Sequence, residues 1–194
     1  MRGLIRAAGP CVLKPRRGVT PYQSLVSSIA HQQLTGKAAQ TILGRFFALY
    51  GEGGRHPLPE ELLATDDAQL RAAGFSRAKV ASLKDIAART LDGTIPPRRT
   101  LSRLPDEEII ARLVQVRGVG RWTVEMFLMF TLGRPDVLPV DDYGVRNGFR
   151  IAYGLEDLPK TAELAEHGLR WAPYRSTAAW YLWRAVDLHK ESRL

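Results

Sequence analysis

The sequence predicts an all-α fold. Apolar residues recur at helical spacing along most of the chain, and no run alternates long enough to build a sheet. The breaks between periodic segments are short and carry capping residues, glycine or proline. No internal repeat or low-complexity segment interrupts this pattern.

The first strong helix is "PYQSLVSSIAHQQ", where Tyr22, Leu25, Val26, Ile29 and Ala30 share a face and Pro21 suits a first turn. In "TGKAAQTILGRFFALYG" the stripe is Ala38, Ala39, Ile42, Phe46 and Leu49, with Thr35 as N-cap and Gly51 as stop. "PEELLATDDAQLRAAGF" reads as two short helices, the second capped by Thr65 or Asp66. "RAKVASLKDIAARTLDG" is amphipathic through Val80, Leu83, Ile86, Ala87 and Leu91, and "DEEIIARLVQV" buries Ile109, Ile110, Leu113 and Val114. The last third holds "DYGVRNGFRIAYG", "KTAELAEHGLRWAP" and "YRSTAAWYLWRAVDLHKE" as further helices. Before them "TLGRPDVLPV" (131–140), with one glycine and two prolines, reads as a rigid connection.

One segment asks for a separate explanation. In "LVQVRGVGRWTVEMFLMF" (113–130) an apolar helix stops at Arg117-Gly118-Val119-Gly120 and another starts at once. Gly118 and Gly120 can take positive φ and leave backbone N–H groups uncovered. Val119 can plug into the core and fix the turn. The following helix aims its own free N–H groups and positive dipole end at the same place, and Arg117 and Arg121 flank it. Locally this is either an ordinary αα-hairpin with a glycine cap or a clamp for a phosphate backbone.

The bulk chemistry favours the clamp. The 194 residues carry a net charge of +8, which suits a polyanionic partner, most simply nucleic acid. The single cysteine, Cys11, supplies neither a zinc cluster nor a four-cysteine iron–sulfur site, and His31, His56, His167 and His189 lack ligand spacing. The basic N-terminus makes a poor signal peptide, and no run approaches the roughly 20 apolar residues of a membrane span. A cytoplasmic protein is expected, associated with the nucleoid.

The hairpin, the loop and aspartate in "TLGRPDVLPVDDYGVRNGF", the upstream "LVSSIAHQQLTGKAAQTI" and the downstream "RWAPYRSTAAWYLW" together resemble the helix-hairpin-helix DNA glycosylase superfamily. The branch they resemble is bacterial 3-methyladenine DNA glycosylase II. The resemblance runs from about residue 20 to the C-terminus and implies an activity. A damaged base is flipped out of duplex DNA and its N-glycosidic bond is hydrolysed, leaving an abasic site.

By position in the family's pattern, the catalytic carboxylate is Asp142, with Asp141 as the alternative or as a helix cap. Locally, both aspartates also suit capping. A fixed carboxylate stabilises the positive charge that develops on the deoxyribose and orients water. An alkylated base often carries delocalised positive charge, which aromatic faces attract by roughly 0.5–2 kcal/mol. The resemblance assigns Trp122 and Trp183 to that pocket. Tyr143 adjoins Asp142, and Met126 stands on the side of Trp122. Gln33 occupies the position of the wedge that fills the emptied stack, where that branch often has leucine; Leu34 is the rival. Gly118, Gly120, Arg117, Arg121 and Thr123 are assigned to the DNA backbone.

Bifunctional relatives carry a lysine nucleophile just after the hairpin. Here Trp122 stands there, and no lysine lies between Lys84 and Lys160. A monofunctional enzyme without lyase activity is therefore expected. No cofactor is required, although the hairpin carbonyls can take a monovalent cation (Na+ or K+), as in related proteins. The expected partner is double-stranded DNA containing damaged bases such as 3-methyladenine or 7-methylguanine, and a monomer is expected. The β-rich N-terminal domain of some relatives is not found here, and a different substrate range is expected for that reason. Two helical subdomains, 21–136 (hairpin about 116–121) and 1–20 plus 137–194, would enclose a DNA-binding cleft. The rivals are a non-catalytic DNA-binding module and a glycosylase for oxidised or mismatched bases.

Overall fold

The computed structural model describes residues 1–192, among which twelve α-helices and no strand are found. The chain divides into a middle unit, Arg17–Phe127, and a terminal unit, Met1–Arg16 with Leu128–Leu194. Helix α1 (Arg2–Ala8) belongs to the terminal unit. The middle unit holds α2 (Pro21–His31), α3 (Gly36–Ala48), α4 (Pro59–Ala64), α5 (Asp67–Ala72), α6 (Arg77–Leu91), α7 (Arg98–Leu101), α8 (Asp106–Leu113) and α9 (Arg121–Phe127). The terminal unit adds a π-helical turn (Leu128–Leu132), α10 (Tyr143–Tyr153), α11 (Thr161–Gly168) and α12 (Arg175–Lys190).

Side-chain caps start several of these helices, those at Thr35 and Asp66 among the expected ones. Thr20 and Gln23 form a reciprocal capping box on α2, at 3.2 and 3.0 Å. Thr35 caps α3, and Asp66 rather than Thr65 caps α5. Ser76 caps α6. In the middle unit α6 is the hub, with α2, α4 and α5 packed on it, while α9 lies on α2 and α8. Leu25, Ile29, Phe46, Leu83, Ile86, Ile109 and Leu113 are fully buried there. Each contributes about 1.5–3 kcal/mol by leaving water. Leu49, Leu91 and Val114 were expected inside and are exposed. They stand at the C-terminal ends of α3, α6 and α8, where the apolar stripe has already left the core.

In the terminal unit α10 lies along α12. Gly148 makes this approach possible, because a Cβ there would run into the Leu182 backbone. Leu4 of α1 completes a core cluster with Tyr181, Ala185 and Leu188 of α12. Tyr181 Oη donates to the Gly9 carbonyl at 3.0 Å.

The unit boundary falls after Phe127 rather than after residue 136, because the segment beyond it is bound into the terminal unit. Phe130 stacks on Trp183 at 5.9 Å. Ser176 Oγ donates to the Arg134 carbonyl and accepts from Val137 N–H, while Arg175 holds Asp136 through both carboxylate oxygens. The N-terminal boundary falls after Arg16, whose N–H donates to the Phe130 carbonyl, rather than after residue 20. Among the described residues, no helix is long and apolar enough to cross a membrane.

Candidate active site

The hairpin is built from the inside out. Val119 is 4% exposed and plugs into the middle unit's core, and its N–H closes the turn on the Val116 carbonyl at 3.0 Å. Gly118 takes φ +77°, a region other residues enter only at a cost. A Cβ on it would also collide with Ser82 Oγ of α6. Gly118 is therefore fixed twice, by conformation and by space. Arg117 is exposed, while its N–H donates to Asp85 Oδ2 at 2.7 Å.

Two residues expected to meet a phosphate are placed differently. The Arg121 guanidinium is gripped by both Glu107 oxygens, and its Nε donates to Glu125 Oε1 at 3.2 Å. In turn the guanidinium holds the Glu107 carboxyl below its usual range. Arg121 is thus an internally paired cation. Thr123 is 4% exposed, so its hydroxyl lies within the core. Opposite charge and helical spacing explain both outcomes: Glu107 and Glu125 are within reach of Arg121, and Thr123 falls on the inward face of α9.

The end of α2 presents Gln33. The helix stops at His31, and Gln33 is one of two non-glycine residues found at positive φ among the described residues, at +57°. That conformation costs of order 1 kcal/mol and persists only where neighbours impose it. The neighbours are identifiable. Lys79 Nζ of α6 donates to the Ala30 and Gln32 carbonyls at 3.0 and 2.8 Å, and Gln32 Nε2 donates to the Gly118 carbonyl at 2.9 Å. Both Gln33 and Leu34 are exposed.

In the terminal unit Asp142 is the N-cap of α10. Its Oδ1 accepts from Val145 N–H at 2.8 Å and from Trp183 Nε1 at 2.9 Å. The carboxylate is half-buried, whereas Asp141 is exposed. Capping of α10, which suited either aspartate locally, falls on Asp142. Trp183 presents its indole N–H to Asp142 and stacks its ring on Phe130, with 26° between the planes. Tyr143, next to Asp142, is 69% exposed. Trp122 and Met126 are one turn apart on α9; Trp122 is 45% exposed and Met126 is half-buried. Sequence reasoning missed Lys79, Asp85, Glu107 and Phe130. Each acts through a partner distant in the chain, and only Phe130 had a local signal, as the last aromatic of "EMFLMF".

Comparison with known proteins identifies the family of the chain. The family model described as HhH-GPD superfamily base excision DNA repair protein matches residues 26–173. DNA-3-methyladenine glycosylase 1 of Schizosaccharomyces pombe is 45% identical over 87% of this chain and 73% of its own length. A solved structure of the S. pombe 3-methyladenine DNA glycosylase in complex with abasic DNA superposes with a TM-score of 0.85 at 42% identity. That match covers 96% of this chain and 91% of that one. A Bacillus halodurans DNA-3-methyladenine glycosidase structure gives a TM-score of 0.87 at 38% identity, covering 98% and 85%. The chain belongs to the HhH-GPD superfamily of base excision DNA repair proteins.

Proposed function

We propose that this protein is a monofunctional DNA glycosylase that removes alkylated bases from duplex DNA as a monomer and leaves an abasic site. The observation that carries this is the Asp142 carboxylate, fixed by two N–H donors at the start of α10. Cleavage of the N-glycosidic bond builds positive charge on the deoxyribose. A carboxylate already oriented for that charge stabilises it without reorganising and can direct water to the sugar. In the terminal unit, Tyr143 and the ring of Trp183 offer faces to a flipped cationic base. In the middle unit, the exposed Trp122 and the adjoining Met126 are the aromatic and apolar residues assigned to base contact by the resemblance. Gln33 fills the emptied position in the stack. The Gly118 and Gly120 backbone and the exposed Arg117 hold the phosphates, with Thr123 contributing its N–H. Arg121 joins them only if phosphate displaces Glu107.

Trp122 stands where bifunctional relatives carry a lysine, so water, rather than an amine of this chain, receives the sugar. The relatives named above as 3-methyladenine glycosylases support the alkylated-base class. The proposed site of action is chromosomal DNA in the cytoplasm. No cofactor takes part in these steps. The proposed seat of a monovalent cation is the hairpin, where the Val116 and Gly118 carbonyls accept from Val119 N–H and Gln32 Nε2 and have a further lone pair to offer. A bound Na+ or K+ would add positive charge beside a phosphate.

The test is release of free methylated bases from alkylated duplex DNA, run beside a DNA-binding assay. Asp142→Asn keeps an oxygen for both N–H donors and removes the charge. It is expected to lower release by at least about 100-fold while binding persists. If the wild-type protein binds but releases no methylated base, the alkylation reading fails, and mismatched and oxidised bases are the next substrates to offer.

A further inference from the structure

Three residues of α6 point to one task. Lys79, Ser82 and Asp85 are three apart, so they share a face of the helix. Lys79 holds the last turn of α2 through the Ala30 and Gln32 carbonyls. Ser82 lies directly under Gly118, and Asp85 takes the Arg117 N–H. Gln32 then closes the ring by donating to the Gly118 carbonyl. The loop carrying Gln33 and the Gly118 hairpin are therefore fixed to one rigid helix, and to each other, at four points. Lys79 is half-buried, and burial draws its ammonium below the usual lysine value. This ammonium is spent on two carbonyls inside the unit.

We infer that the Lys79–Ser82–Asp85 face of α6 is a positioning frame that sets the distance from the wedge residue Gln33 to the phosphate-holding hairpin, so that gripping the backbone and inserting the wedge are one rigid event. The frame touches no reacting atom. It acts by holding Gln33 in its left-handed conformation at a fixed offset from the backbone clamp. A displaced wedge raises the cost of extruding a paired base, and leaves a base that has no partner nearly unaffected. This inference rests on the wedge reading of Gln33.

The experiment uses the full chain and two duplexes, each with one 7-methylguanine. In one the lesion is paired with cytosine. In the other it stands opposite a tetrahydrofuran abasic analogue. Single-turnover base release is measured for wild type, Lys79→Met, Asp85→Ala, Asp85→Asn and Gln33→Ala. Lys79→Met and Asp85→Ala are expected to slow release from the paired duplex about tenfold or more, and to come within about threefold of wild type on the unpaired one. Asp85→Asn keeps an acceptor for Arg117 N–H and recovers most of what Asp85→Ala loses. The salt dependence of Lys79→Met binding to abasic DNA stays that of wild type, because no phosphate contact is removed. Equal losses on both duplexes, or no loss on either, overturn the frame. If Gln33→Ala shows the paired-only defect while Lys79→Met does not, the frame fails and the wedge stands. If Gln33→Ala loses nothing on the paired duplex, the wedge reading itself fails and takes the frame with it.

Discussion

Trp183 joins an observed bond to a proposed contact. Its ring was expected to line a base pocket, and its N–H is bonded to Asp142. Trp183→Phe keeps a ring against Phe130 and deletes only the donor. We expect kcat to fall about tenfold with little change in KM, as when a transition-state interaction alone is lost. A rise in KM at constant kcat would instead assign the ring to base binding. Gly148→Ala tests a purely structural residue. A methyl group pressed into the Leu182 backbone forces α10 from α12 and costs about 1–3 kcal/mol or more, read by urea unfolding. Gly118 and Val119 were legible in the sequence because a glycine hairpin acts through its immediate neighbours, whereas preferring Asp142 to Asp141 needed the resemblance. Lys79, Asp85 and Phe130 were not, because what they do depends on which distant backbone or ring they meet.

At the scale of elements, periodicity located the helices and misjudged their ends. Leu49, Leu91 and Val114 continue the apolar stripe, yet a helix turns away from the core within its last turn. The loop before Asp142 was legible as rigid from its prolines, but its fastening was not. Asp136 and Arg175 are 39 residues apart and meet through three hydrogen bonds, two from the guanidinium at 2.7 and 2.9 Å and one from the Arg175 N–H at 3.2 Å. The guanidinium holds the Asp136 carboxyl below its ordinary value of 3.8. A depressed carboxylate contributes stability that is complete above the ordinary value and is lost as pH falls through the lower folded-state value. Asp136→Asn should therefore lower the melting temperature near neutrality, with the difference from wild type closing as pH falls below the ordinary carboxylate value of 3.8. A difference that persists unchanged at the acid end would mean that packing, rather than charge, fastens this loop.

At the scale of the whole molecule, the net charge of +8 makes a single testable statement about how DNA is held. Binding should weaken steeply with salt, and Arg117→Ala should make the slope of log K against log salt shallower by about 0.9. An unchanged slope would remove Arg117 from the phosphate contacts. The charge and the helical class were plain from composition and periodicity, whereas the division into units was displaced in the sequence reading. The segment 128–136 belongs to the terminal unit because of what Ser176, Arg175 and Trp183 do to it from far along the chain. The core contact of Leu4 with Leu188 also has a consequence for synthesis. Ribosomes add about 5–20 residues each second, so Leu4 waits on the order of 10–40 s for its partner while the whole middle unit emerges in between. The arm is translated early and packs late. A nascent chain halted between Phe127 and Leu188 carries a complete hairpin but an incomplete terminal unit.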